Sequence, residues 1–175
     1  MRLFVSIDFN QLDSYLSGLQ KQIPPYAKPK LTRDFHITLK FLGEVGADKA
    51  SMIIGLLKNI SFDSFSVSLH SIGVFPSESN IRVIWVGVNP EDEVLNLQNS
   101  IDSSLSSIFE REDDFKPHIT LARVGHIENK TSFINGLKEI NVDNKKIGVD
   151  GFRLMESDLT PQGPLYKEIC EFNCD

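Results

Sequence analysis

Hydrophobic and polar positions alternate from the first residues. Leu3, Val5 and Ile7 fall on one side of residues 2–8, which reads as a β-strand beginning at once. Leu12, Tyr15, Leu16, Leu19 and Ile23 then recur with helical spacing, and Pro24-Pro25 with Pro29 ends the helix in an extended linker. Residues 35–42 predict a second strand, punctuated by Gly43 and Gly46, and Ala50, Ile53, Ile54 and Leu57 a second helix. Phe65, Val67, Leu69, Ile72 and Val74 predict a strand broken near Ser71, with a turn over Pro76 to Asn80. Residues 81–88 are the strongest strand, rich in β-branched and aromatic side chains. Asn89-Pro90-Glu91 reads as a helix start, with Asn as cap and Pro in the first turn. Val94, Leu97, Ile101, Leu105 and Ile108 form its buried stripe. A strand is expected over 117–124, then a short helix capped by Asn129 and buried through Phe133, Leu137 and Ile140. Final strands are expected near 145–156 and 165–172, joined through Pro161, Gly163 and Pro164.

The second half echoes the first, and one phrase makes the echo literal. His36-Ile37-Thr38-Leu39 returns as His118-Ile119-Thr120-Leu121. A strand sends residues i and i+2 to the same face. Each copy therefore sets an imidazole beside a hydroxyl, with Ile and Leu turned the other way into a core. Hairpins interspersed with helices favour an α+β fold over a doubly wound parallel sheet. The simplest arrangement is a bilobal, pseudo-twofold pair of antiparallel sheets. Helices lie outside, and each lobe gives one His-Thr strand to a central cleft. Residues 1–175 are read as one domain of two intertwined lobes.

Composition narrows the partners. The formal charge is −6, against a broad electrostatic footprint on nucleic acid but compatible with a small pocket for one phosphate or an RNA end. No apolar run approaches the roughly 18 residues that span a bilayer. The N-terminus turns acidic too soon for a signal peptide, so a cytoplasmic protein without membrane attachment is expected. The two cysteines, Cys170 and Cys174, are too few for a disulfide framework or a zinc site.

Two imidazoles and two hydroxyls around one hollow suit in-line displacement at a cyclic phosphodiester. One imidazole deprotonates water and the other protonates the leaving sugar oxygen. The threonines hold the non-bridging oxygens. His36 and His118 are thus the candidate catalytic residues, with Thr38 and Thr120 as phosphate ligands; neither a metal nor a cofactor is called for. His70 and His126 lack the following Thr. Strict alternation puts Lys40 on the face of His36 and Thr38, as a candidate substrate contact. The same rule puts Arg123 opposite His118 and Thr120, unless the strand ends or bulges near Ala122. Arg33 and Arg153 read as surface charges, and Tyr166 as core rather than a base-stacking ring.

The segments 36–45 and 118–124, with Arg2-Leu3-Phe4-Val5-Ser6-Ile7 and Pro161-Gln162-Gly163-Pro164-Leu165-Tyr166, resemble the 2H phosphoesterase superfamily. The closer resemblance is to its LigT/ThpR-like RNA 2′,3′-cyclic phosphodiesterases, also called 2′-5′ RNA ligases. It implies hydrolysis of 2′,3′-cyclic phosphate RNA ends, tRNA-derived ends among them, to 2′-phosphomonoesters, and by reversal 2′-5′ joining. It implies His36 as general acid, His118 as general base, Thr38 and Thr120 as phosphate ligands, and Arg123 as a further phosphate contact. No obligate protein partner is implied. The alternatives are a cyclic phosphodiesterase of small nucleotides or ADP-ribose cyclic phosphate, and a non-catalytic RNA-end-binding module.

Overall fold

The computed structural model describes residues 1–161 and 163–174; Gln162, in the tail segment quoted above, lies outside the described residues. Among the described residues, nine strands and four α-helices follow in chain order: β1 (Arg2–Asp8), α1 (Asp13–Gln20), β2 (Lys30–Leu31), β3 (His36–Glu44), α2 (Ala47–Leu57), β4 (Phe65–Ser77), β5 (Asn80–Asn89), α3 (Asp92–Ser104), β6 (Ile119–Arg123), α4 (Lys130–Lys138), β7 (Lys146–Val149), β8 (Gly151–Thr160) and β9 (Gly163–Asn173). They build two antiparallel sheets: β3-β1-β8-β9, and β2-β6-β5-β4-β7. The α+β, two-sheet expectation holds.

Apart from β2, the sheets match strand for strand. In each, a His-Thr strand (β3 or β6) pairs with a central strand that precedes it in the chain (β1 or β5). The other edge of each central strand is taken by a further antiparallel neighbour: β8 pairs with β1, and β4 pairs with β5. The stretch expected as one strand over 145–156 is two. β7 completes the second sheet and β8 enters the first, with only Asp150 between them. Hydrophobic alternation runs through both, so periodicity alone could not reveal the change of sheet.

Two other boundaries differ. Asn89 pairs with Ser68 and belongs to β5, so α3 begins at Asp92 without a side-chain cap. Pro76 and Ser77 stay in the β4–β5 ladder, so the hairpin turn is confined to Glu78-Ser79. The expected break in β4 is present as a register shift between Leu69 and Ile72. Asn129 caps α4 as expected, its Oδ1 accepting from the Ser132 amide at 3.0 Å.

One continuous core joins the lobes. Ile37 and Leu39 of β3 lie in it with Ile119 and Leu121 of β6, all fully buried. Burying each such side chain is worth about 1.5–3 kcal/mol. A one-residue slip would turn these four outward and drive His and Thr inward, so burial locks the face on which the imidazoles sit. A second cluster, including Ile84, Ala122, Phe133 and Leu137, seals α4 beneath β5 and β6.

Candidate active site

β3 and β6 lie against each other where the sheets meet. His36 and Thr38 face outward from the core on β3, and Thr120 does so on β6 with His118 immediately before that strand, which begins two residues later than the expected 117; all four are half-buried. The histidines lie close enough for the charge of His118 to bear on His36. Each imidazole is held in the same way. His36 Nδ1–H donates to the Asp34 carbonyl, two residues back, at 3.1 Å. His118 Nδ1–H donates to the Lys116 carbonyl, again two residues back, at 2.7 Å. With Nδ1 committed to the backbone, Nε2 is the nitrogen left for chemistry on each ring. Neither threonine hydroxyl is taken up by a protein hydrogen bond among the described residues.

The strands carry matching irregularities just after the motif. Between β1 and β3, Ser6 pairs with Thr38 and Val5 with Lys40, leaving Leu39 as an extra residue. Between β5 and β6, Trp85 pairs with Thr120 and Ile84 with Ala122, leaving Leu121 extra. Such a bulge reverses the parity of everything beyond it. On β6 it brings Arg123 round to the face of His118 and Thr120, where its charge reaches both His118 and Tyr166. The carbonyl of Leu121 is satisfied by the Thr32 amide at 3.0 Å and by Gln20 Nε2 at 2.7 Å. The helix after β1 thus braces the motif strand of the other lobe.

On β3 the same bulge corrects the expectation for Lys40. Its side chain turns into the interior, only 4% exposed, and pairs there with Asp102 of α3. Lys40 Nζ also donates to the Glu110 carbonyl at 2.8 Å, and Asp102 Oδ2 accepts from the Glu112 amide at 2.9 Å. Lys40 is therefore a structural tie and does not reach the cleft. The position equivalent to Arg123 is Phe41, which is 64% exposed.

Different neighbours surround the two imidazoles. Around His36 are Phe4 (ring centroids 5.2 Å apart) and Tyr166 (5.2 Å, edge-on). Asp8 sits directly across from His36 on β1. Asp8 also binds Arg153 at 2.7 Å, and Arg153 is held further by Glu168 and Glu171. Around His118 are Phe75 (4.8 Å, edge-on) and Trp85 (6.1 Å), with Lys116 Nζ 4.9 Å above the indole. Gly73 makes this floor possible, since a Cβ there would overlap the Trp85 ring. Burial lowers the pKa of both histidines. Against it, the Asp34 carbonyl and the charges of Asp34 and Asp8 raise His36. His118 has its carbonyl bond to Lys116, but Arg123 and Lys116 push it further down. One ring is thus surrounded by negative charge, the other by positive.

Phe41, Asp8 and Lys116 escaped the sequence reading, and Tyr166, expected in the core, borders the cleft. Asp8 and Tyr166 arrive through pairing across the first sheet and Phe41 through the bulge in β3, none of which a local pattern announces, while Lys116 lies just before β6. Arg33 is exposed, and Arg153 is engaged by three carboxylates. Among the described residues no group of three His, Cys, Asp or Glu side chains is placed to hold a metal ion. None of their helices is long and apolar enough to cross a membrane. Cys170 and Cys174 are free thiols.

Two antiparallel sheets that bring one His-x-Thr segment each into contact describe a phosphoesterase class of fold. Comparison with known proteins agrees. The family model described as LigT like Phosphoesterase matches twice, over residues 7–85 and 86–166. The chain belongs to this family. Similar relatives include the RNA 2′,3′-cyclic phosphodiesterase of Archaeoglobus fulgidus, 35% identical over 98% of this chain and 99% of the relative. The protein of that name from Thermotoga maritima is 33% identical, over 98% and 96%. Among solved structures, a Thermus thermophilus protein superposes with a TM-score of 0.79 at 25% identity, covering 99% of this chain and 97% of that one. Escherichia coli LigT in complex with 3′-AMP shares the fold, with a TM-score of 0.77, 24% identity, and coverage of 99% and 97%.

Proposed function

We propose that this chain hydrolyses 2′,3′-cyclic phosphate ends of RNA to 2′-phosphomonoesters, and in reverse joins such an end to a 5′-hydroxyl through a 2′-5′ linkage. The observation that carries this reading is the pair of backbone-tethered imidazoles, set in opposite electrostatic surroundings on one cleft. His118, surrounded by cations, is the neutral base. Its Nε2 takes a proton from water as the water oxygen attacks phosphorus. The bond from phosphorus to O3′ breaks in line with that attack. His36, beside Asp8 and Asp34, is the acid, and its Nε2–H protonates the departing O3′. The phosphate stays on O2′. His118 ends protonated and His36 neutral, and proton exchange with solvent resets the pair. Thr38, Thr120 and Arg123 hold the non-bridging oxygens and offset the charge that builds there. Each proton transfer contributes on the order of 10²–10⁴-fold, and neither draws on a metal.

Relatives of near-equal length that carry the name RNA 2′,3′-cyclic phosphodiesterase support this substrate class. A cytoplasmic place of action, tRNA-derived ends as substrates and independence of any protein partner belong to the same proposal.

The test is product analysis on an RNA oligonucleotide with a 2′,3′-cyclic phosphate end, in the presence of a chelator. A 2′-phosphate product is expected, with His36→Ala and His118→Ala each slower by at least about 10²-fold. A 3′-phosphate product, or more than about a tenth of the wild-type rate in either variant, would overturn the assigned roles. Turnover of ADP-ribose cyclic phosphate or small cyclic nucleotides in preference to RNA would move the substrate to that class.

A further inference from the structure

The two motif strands face different neighbours on their outer edges. In the first sheet β3 is itself the edge strand. In the second, β6 is flanked by a two-residue strand, β2, which has no counterpart in the first sheet among the described residues. β2 pairs Lys30 with Arg123 and Leu31 with Ala122. Residues directly opposite in an antiparallel pair project to the same face. Ala122 is buried on the core side, and Arg123 is turned to the cleft by the bulge at Leu121. Lys30 therefore shares the cleft face with Arg123, one strand spacing, about 4.8 Å, further out. Both side chains are exposed, and among the described residues neither has a carboxylate within ion-pair distance. Two cations set side by side and left without partners repel each other and gain nothing for the fold.

We propose that Lys30, set beside Arg123, forms a second phosphate subsite, through which the cleft prefers an RNA strand to a cyclic mononucleotide. This rests on the reading of the site given above. Arg123 lies at the reacting phosphate, and Lys30 meets the phosphodiester of the neighbouring nucleotide. Charge complementarity sets the direction of approach. The first sheet lines its side with Asp8, Glu168 and Glu171 gathered on Arg153. A polyanion entering a chain of net charge −6 is admitted over the β2 edge and repelled from the other.

The experiment compares kcat/KM for a short RNA ending in a 2′,3′-cyclic phosphate with kcat/KM for a 2′,3′-cyclic mononucleotide. It uses wild type, Lys30→Ala, Lys30→Glu and Lys30→Arg. The ratio of RNA to mononucleotide should fall about fivefold in Lys30→Ala, fall further in Lys30→Glu, and recover in Lys30→Arg. The fall should come through KM. The dependence of log KM on log salt for the RNA should flatten in Lys30→Ala by about 0.7, the value for one phosphate of a single strand. An unchanged ratio in Lys30→Glu, or equal losses on both substrates, would overturn the subsite and leave the assigned chemistry standing. Failure of the wild type to turn over either substrate would overturn both.

Discussion

At the scale of single residues, the two histidines are chemically alike and electrostatically opposed. Both are pushed below the ordinary imidazole pKa of 6.5 by burial, but carboxylates surround one and cations the other. The dependence of kcat/KM on pH should be bell-shaped, since it needs one ring charged and one neutral. Because both values are lowered in the free protein, the maximum should lie on the acid side of 6.5. The two limbs belong to the pair and not to either ring alone. Arg123→Gln removes a cation that depresses His118, so the rising limb should move to higher pH even as the rate falls. A profile flat between pH 5 and 8, or a limb moving to lower pH in Arg123→Gln, would count against paired imidazole catalysis.

At the scale of elements, the bulges at Leu39 and Leu121 decide what the sites contain. Each converts the ordinary alternation of a strand into two buried residues in a row, Leu39-Lys40 and Leu121-Ala122. On β6 the inward residue is a small alanine. On β3 it is a lysine, and the core must answer its charge. Asp102 does so: burial pushes its pKa up, but the Lys40 contact and the Glu112 amide pull it below the usual carboxylate range. Removing one partner strands the other charge in the interior, which costs about 3–5 kcal/mol, whereas replacing both with apolar groups of similar size is often neutral. Lys40→Met and Asp102→Leu should each lower the urea midpoint strongly, and the double variant should regain most of the loss. Additive losses would show the pair to be no unit.

The same bulges mark the limit of what is legible in the sequence. The repeated His-x-Thr names the four central side chains, because a shared face two residues apart needs only strand geometry. Lys40 is misplaced when alternation is carried one residue past a bulge, and Arg123 is reached only by allowing for one. Side chains brought in by pairing across the sheet, such as Tyr166 against His36, have no local signature at all.

At the scale of the molecule, the histidines tie stability to acidity. Both fold with pKa values below their unfolded 6.5, so between those values and 6.5 the unfolded chain binds more protons. Stability should therefore fall as pH drops below about 6.5 and level off once the folded rings are themselves protonated. Denaturant titrations at several pH values should show this slope, reduced in a His36→Asn, His118→Asn double variant. An equal slope in that variant would place its origin elsewhere.

The passage from β7 to β8 through Asp150 bears on motion as well as on shape. Neither sheet is a contiguous stretch of chain, and at this point one residue carries the backbone from one sheet to the other. A jaw needs a hinge with slack, and a joint this short beside a common core offers none. Substrates must adapt to a gap of set width between the imidazoles, and because Tyr166 of β9 packs against His36 and β2 pairs with β6, the walls beside the rings are tied to the same frame.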